Sequence, residues 1–411
     1  MRVLPYFLLM FVLACPDNNP ILLGSNYEIS DAALVECEPY LKADPADPTG
    51  GKHTCLITTN PYKGILRVFD VTDNQFVLAP IGYLPLAVLL RSSPEKVASI
   101  DGSPWVAVLD SLDSLVRIVP STNTPLAFSS PTQSFVIKKP GASQLLLAKV
   151  QGKVQAFVVL PEAQIQVAVL DPKTGAMLAD PTVTVLHKLT KSGEIIDISI
   201  DPGGDYLWVA GETQAVVLDL KLNSWSETVL PPDPKKPGAI SKIVSGRKDL
   251  GSGPVPMALA LSQDASRAFL YGADAAFLGG VDLTGKPAAA YIPAGKSDTC
   301  CNGENTWAAV LTTLGDVQYL LLDKIVADAK EESEKTFGKV LHLATQTGVL
   351  PKNVANTYKL LGGEVVTSPL SSSSVGGVNL ICPRRMFFAF SGYLGSFCEG
   401  SSDNVNRIDL R

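Results

Sequence analysis

VAVLDPKTGAMLAD, residues 167–180, decides the fold. A β-forming run ends at Asp171, a short polar turn follows, and an apolar stretch returns. Aspartate has a physical reason to stand there. Its carboxylate accepts a hydrogen bond from a backbone N–H two residues on, which starts a turn. Gly175 then supplies the positive φ that closes a tight hairpin. The same pattern recurs in ILRVFDVTDNQFVLAP (65–80), LVRIVPSTNTPLAF (115–128), AVVLDLKLNSWSETVL (215–230), LGGVDLTGKPAAAYI (278–292), KVLHLATQTGVL (339–350) and NVNRIDLR (404–411). The turn position falls at Asp70, Pro120, Asp171, Asp219, Asp282, Ala344 and Asp409, at intervals of 50, 51, 48, 63, 62 and 65 residues. Gly285 repeats the part of Gly175.

Further strands stand ahead of these hairpins. KHTCLITTN (52–60), SPWVAVLDS (103–111), KVQAFVVLP (153–161), DYLWVAGE (205–212), RAFLYGAD (267–274) and RMFFAFSGY (385–393) are dominated by Val, Leu, Ile, Phe and Tyr, the composition of buried strands. PLAVLLRSS (85–93), EIIDISIDP (194–202) and PMALALSQD (256–264) add another strand to several units. Four short antiparallel strands in each unit of about 50 residues, repeated along the chain, predict an all-β protein, a β-propeller of seven four-stranded blades. The expected propeller covers residues 51–411, and residues 15–50 form a tether and ring-closing segment. The chain ends after what reads as an inner strand, so the N-terminal segment is expected to supply the outer strand of the last blade and remove the open edge.

The strands resemble the YVTN and NHL-like propeller repeats of bacterial envelope proteins, echoed in LITTN (56–60) with VFD (68–70) and in VAG (209–211) with VLD (217–219). WD40 signatures are absent, because no Trp-Asp pair occurs and the three histidines cannot supply a Gly-His in each blade.

At the N-terminus, FLLMFVLACPDNNP (7–20) follows a single early charge, Arg2. The apolar run is too short for a spanning helix of about 20 residues and fits the core of an export signal. Val12-Leu13-Ala14-Cys15 resembles the lipobox of bacterial lipoproteins. The resemblance implies removal of residues 1–14 as a signal peptide and lipidation of Cys15. Several acyl chains, at about 0.8 kcal/mol per buried methylene, make a durable anchor. The polar stretch after Cys15 suits a tether. The expected location is a bacterial cell envelope, with the outer membrane as the first assignment.

Six cysteines besides Cys15 remain: Cys37, Cys55, Cys300, Cys301, Cys382 and Cys398. An even number in an exported chain predicts disulfides. Zinc is disfavoured, since no C-x-x-C or H-x-x-x-H spacing occurs. Cys37 with Cys55 would pin the incoming segment to the first blade. One or two bridges are expected among Cys300, Cys301, Cys382 and Cys398. No Asn-x-Ser/Thr sequon is present.

The net charge of −6 and pI near 5.2 argue against a nucleic-acid partner. No Walker loop, G-x-S-x-G or G-x-G-x-x-G occurs. His53, His187 and His342 are isolated, which favours structural roles. DPGGD (201–205) offers two carboxylates around a tight turn and reads as a hairpin rather than a Ca²⁺ site. PPDPKKPGAISKIVSGRKDLGSGPVP (231–256) reads as a long exposed binding loop, with PAGKSDTCCNGEN (293–305) the second candidate. DKIVADAKEESEKTFGK (323–339) has the make-up of a short helix, and SSSSVGG (371–377) reads as a surface loop. Trp105, Trp208, Trp225 and Trp307 are read as one per blade, packed between blades. The sequence thus points to a lipid-anchored envelope propeller that binds a protein or glycan or serves as a scaffold, without cofactor, metal or catalytic residues. The alternative is a propeller hydrolase or lactonase with its site at one mouth of the channel.

Overall fold

The computed structural model describes residues 30–37, 53–62, 64–70, 86–89, 93–100, 103–120, 133–178, 185–222, 225–249, 253–292, 307–322, 325, 342–346, 359–363, 373–375, 378–380, 385–390, 393–398 and 405–409. They form seven four-stranded sheets and one two-stranded hairpin. The first sheet holds β1 (Asp31–Cys37), β2 (His53–Asn60), β3 (Ile65–Asp70) and β4 (Leu86–Leu89). The second holds β5 (Pro94–Ala98), β6 (Trp105–Asp110), β7 (Leu115–Pro120) and β8 (Gln133–Val136). The third holds β9 (Gln144–Val150), β10 (Lys153–Leu160), β11 (Gln164–Leu170) and β12 (Val185–Lys188). The fourth holds β13 (Ile195–Ile200), β14 (Tyr206–Gly211), β15 (Ala215–Asp219) and β16 (Glu227–Val229). The fifth holds β17 (Lys242–Asp249), β18 (Pro254–Ser262), β19 (Arg267–Gly272) and β20 (Phe277–Asp282). The sixth holds β21 (Pro287–Tyr291), β22 (Trp307–Thr312), β23 (Val317–Leu321) and β24 (His342–Gln346). The seventh holds β25 (Lys359–Gly363), β28 (Arg385–Phe390), β29 (Tyr393–Cys398) and β30 (Val405–Asp409), with the hairpin of β26 (Ser373–Val375) and β27 (Val378–Leu380) inserted after β25.

Each sheet is an antiparallel meander, and the first strand of each touches the first strands of its neighbours. Contacts run β1–β5–β9–β13–β17–β21–β25 and return from β25 to β1. The architecture is a β-propeller with four-stranded blades, in which the first strand of every blade lines the centre.

Strand alternation puts the core between blades. Every residue of β6 is buried. Trp105, Ala107 and Leu109 pack toward the third sheet, while Val106 and Val108 pack toward the first. β14 repeats this, with Trp208 and Ala210 facing the fifth sheet and Leu207 and Val209 the third. A central blade strand is covered on both faces, so it reads as an unbroken apolar run. Polar side chains stitch the layers. The Gln166 amide on β11 takes the N–H of Lys138 at 2.8 Å and donates to the Val136 carbonyl at 2.9 Å. Gln318 on β23 repeats the clamp on the N–H and carbonyl of Thr284, at 3.2 and 2.6 Å.

The opening stretch folds as its residues dictate. The Asp171 carboxylate accepts the N–H groups of Lys173 and Thr174 at 2.9 and 2.8 Å, and Gly175 has φ +69°. Its absent side chain matters: a Cβ there would lie 2.5 Å from Ile118 and 2.9 Å from Trp105. Asp219 makes the same turn with Lys221 and Leu222.

Several expectations are corrected. β1 is the central strand of the first blade, not the outer strand of the last, and β30 is the outer strand of the seventh sheet. The propeller therefore begins at Asp31 rather than at residue 51, and each blade is built from one continuous stretch of chain. The Asp-turn motif also changes its place. It lies in or just after the third strand in the first four sheets, but in the fourth strand of the last three. The 63-residue interval from Asp219 to Asp282 thus spans one extra strand. The reason is local: an aspartate suits the end of any hairpin strand. At Asp282 the carboxylate takes Arg267 at 3.0 Å and Lys236 at 2.9 Å instead. The 231–256 stretch is not one loop, because its second half forms β17 and the start of β18. SSSSVGG carries β26 rather than a plain loop. Trp208 and Trp225 fall within one sheet, so the tryptophans are not one per blade. Residues 293–305 and most of 323–339 lie outside the described residues.

Candidate functional site

The turn from β13 to β14 is DPGGD, and it anchors a network of four charged side chains. The Asp201 side chain is fully buried. Its carboxylate accepts N–H groups from Gly203 at 3.0 Å, Asp205 at 2.8 Å and Tyr206 at 2.7 Å. Arg247, at the matching level of β17 in the next blade, donates Nε to Asp201 at 2.7 Å and pairs with Asp205. Lys221 approaches Asp205 at 3.2 Å and lies 5.5 Å over the Tyr206 ring. Gly204 has φ +70°, and a Cβ there would collide with the Lys149 carbonyl of the third sheet. Both carboxylates are committed to a hairpin and an inter-blade ion pair. Among the described residues no group of three His, Cys, Asp or Glu side chains could hold a metal.

The same two central strands carry a second carboxylate. Asp197 on β13 accepts the N–H of Ile243 on β17 at 3.0 Å. Burial raises its pKa, opposed by the Lys242 charge, the N–H groups of Ile243 and Ile198, and the Lys96 charge. Lys96 belongs to β5, three sheets from β17, so charges from separate blades bear on this aspartate.

The outer surface differs in character. Met177 and Leu178 run beside the end of β11, through a bridge from Leu170 to Met177 and the bond from the Leu178 N–H to the Val169 carbonyl. β12 then takes up pairing farther along β11. Met177, Leu178, Val185 and Leu186 are all exposed on this outermost edge. Beside them the His187 ring stacks on Trp225 at 3.5 Å and 10°. Burial pushes the His187 pKa from 6.5 down to about 4. The unfolded chain therefore takes up this proton first, so stability is whole above pH 6.5 and falls as the pH drops toward 4. His187→Phe keeps the stack without titrating. Its urea midpoint is expected to fall less than that of the parent between those pH values, and parallel curves would contradict the assignment.

The turns that join second to third strands share one end of the ring. In the first, second and sixth sheets, β1 starts opposite Thr59, β5 opposite Asp110 and β21 opposite Thr312. Tyr62, Leu112 and Leu314 lie on the turns that follow, and they are 71%, 73% and 39% exposed. Leu222, 75% exposed, lies past β15 at the other end.

Cys15 and the rest of the N-terminal stretch expected to be an export signal lie outside the described residues, as do Cys300, Cys301 and Cys382. Cys37 ends β1, Cys55 lies in β2 and Cys398 ends β29. Cys55 is fully buried and disulfide-bonded; its partner's side chain lies outside the described residues. His53 and His342 each begin a strand. The apolar edge and the Asp197–Lys242–Lys96 grouping escaped sequence reading, because each assembles residues far apart in the chain.

No family model and no curated protein matches the chain. Solved structures match by fold. Kluyveromyces marxianus Hsv2 is 11% identical with a TM-score of 0.51, covering 94% of this chain and 98% of its own. Kluyveromyces lactis Hsv2 with its complete loop 6CD is 10% identical with a TM-score of 0.53, covering 94% and 100%. BBS1N, solved in complex with ARL6DN, is 12% identical with a TM-score of 0.50, covering 96% and 95%. These likenesses establish the propeller fold.

Proposed function

We propose that the chain is a lipid-anchored, seven-bladed propeller of a bacterial cell envelope that holds a protein partner on a rigid ring. The carrying observation is the apolar outer edge of the third sheet, where Met177, Leu178, Val185 and Leu186 stay exposed on a well-buttressed blade. Contiguous exposed apolar surface is what partner-binding sites present. An open strand edge can also accept an extended partner segment. BBS1N, a protein of the same fold, was solved with the protein ARL6DN, which supports partner binding as a use of such a ring. The lipobox residues at 12–15 supply the anchor in this reading.

Cys37 is assigned as the partner of Cys55. Cys55 pairs in register with Val35, on whose face Cys37 follows two residues later. That face carries Val35 and Cys55 in the layer toward the second sheet. A bridge there adds about 2–4 kcal/mol and fixes the central strand nearest the tether.

Two measurements test this. A peptide map of the native protein without reduction is expected to show acylated Cys15 and a Cys37–Cys55 link; an N-terminus beyond Cys15 would overturn the anchor. A photo-crosslinking residue placed at Leu186 is expected to capture a discrete envelope protein in cells, with the same residue at Leu222 as control. No Leu186 adduct, or identical adducts from both sites, would overturn partner binding at this edge.

A further inference from the structure

We infer that the ring rests on a lipid bilayer through the end at which β1 starts, with Tyr62, Leu112 and Leu314 as its apolar feet. This deepens the anchored reading and rests on it.

The tether fixes which end is near the membrane. Ser30 immediately precedes β1, and its N–H donates to the Thr59 carbonyl at 3.1 Å. Its hydroxyl also bonds the Glu95 carbonyl at 2.8 Å, on the central strand of the next blade. The chain therefore joins the ring at its centre, on the end that carries the β2–β3, β6–β7 and β22–β23 turns. From Cys15 to Ser30 the backbone can span at most about 50 Å, at roughly 3.5 Å per residue. That length is the farthest this end can stand from a bilayer holding the acyl chains, and the opposite end can stand farther by the thickness of the ring.

The same end is chemically divided. Tyr62, Leu112 and Leu314 belong to the first, second and sixth sheets, and contacts place the seventh between the sixth and the first. The three thus sit on one continuous arc of the ring. On the opposite arc the matching turns are charged rather than apolar: Glu162, Glu212 and Asp264 tip them, and the exposed Lys138, Lys191, Lys235 and Lys236 stand on the connections at the same end. Asp113, beside Leu112, is ion-paired with Arg117. Apolar and aromatic tips gain by entering the headgroup boundary. Charged turns of either sign keep their hydration and stay out of that boundary, so the ring tilts onto the arc of Tyr62, Leu112 and Leu314. Leu112 is as exposed as Leu222, so the two make a matched pair on opposite ends.

The test uses the full acylated chain in vesicles of phosphatidylethanolamine and phosphatidylglycerol carrying brominated acyl chains. Leu112→Trp and Leu222→Trp each add one indole, read as a difference from the parent. Seated about 5–10 Å into the headgroup boundary, the indole of Leu112→Trp is expected to be blue-shifted and strongly quenched. That of Leu222→Trp stays unquenched. Intact mass reports acylation in the same sample. Acylated protein with unquenched Leu112→Trp, or with Leu222→Trp as the quenched variant, overturns this inference and leaves the anchor standing. Protein with no acyl group on Cys15 overturns both.

Discussion

Trp105→Ala is expected to lower the unfolding free energy by about 3–5 kcal/mol, the usual cost of emptying a large aromatic from a core. Trp105 is fully buried and packs in the layer shared by the second and third blades, with Ile118, Phe135, Leu145 and Leu160. Its indole N–H donates to the Pro172 carbonyl at 3.1 Å, on the turn that opens the sequence argument. The substitution leaves a cavity beneath that turn and deprives the Pro172 carbonyl of its donor. Urea unfolding followed by circular dichroism reads the loss. A cost near that of the exposed control Leu222→Ala would contradict the packing described.

Asp201→Ala is expected to cost a similar amount, about 3–5 kcal/mol, for an electrostatic reason. The buried carboxylate serves three backbone N–H groups and the Arg247 guanidinium at once. Alanine strands all four donors, and leaving a buried donor unsatisfied costs about 1–3 kcal/mol each before relaxation. Asp201→Asn keeps an oxygen for the N–H groups and loses only the charge, so it should recover part of the deficit. Hydrogen exchange should quicken at 201–206 and along β17 in the alanine variant. An alanine variant with the parental urea midpoint would sink the proposal that this hub locks the fourth and fifth blades together.

Much of the fold was legible because strand and turn chemistry are local. β6, β14 and β18 announce themselves as apolar runs, and Asp171, Asp219 and Gly175 hold the turns their chemistry predicts. Blade phase was not legible. A Val/Leu-Asp ending records that a hairpin follows, and it carries no mark of whether the strand is third or fourth from the centre. Asp282 fits the motif yet spends its carboxylate on Arg267 and Lys236. The closing of the ring was misread for the same reason, since β1 and an outer strand are equally β-like in sequence. The candidate surfaces were hidden further still. Met177 meets Leu170 and Leu186 meets Gln166, so both lie along β11, and Lys96 and Lys242 come from different blades. Such groupings are a product of the ring and leave no spacing to detect.

Ring closure through β25 against β1 has a consequence for assembly. No strand of one blade is borrowed from the far end of the chain, so every blade is finished as soon as its own stretch of chain is available. During synthesis, N-terminal blades can zip up in order, and the last event is a lateral docking of two completed surfaces rather than the threading of a missing strand. The seam between the first and seventh blades is then topologically equivalent to every other junction. Circular permutants cut between any two blades should reach the same ring, with the old seam bridged by a short linker.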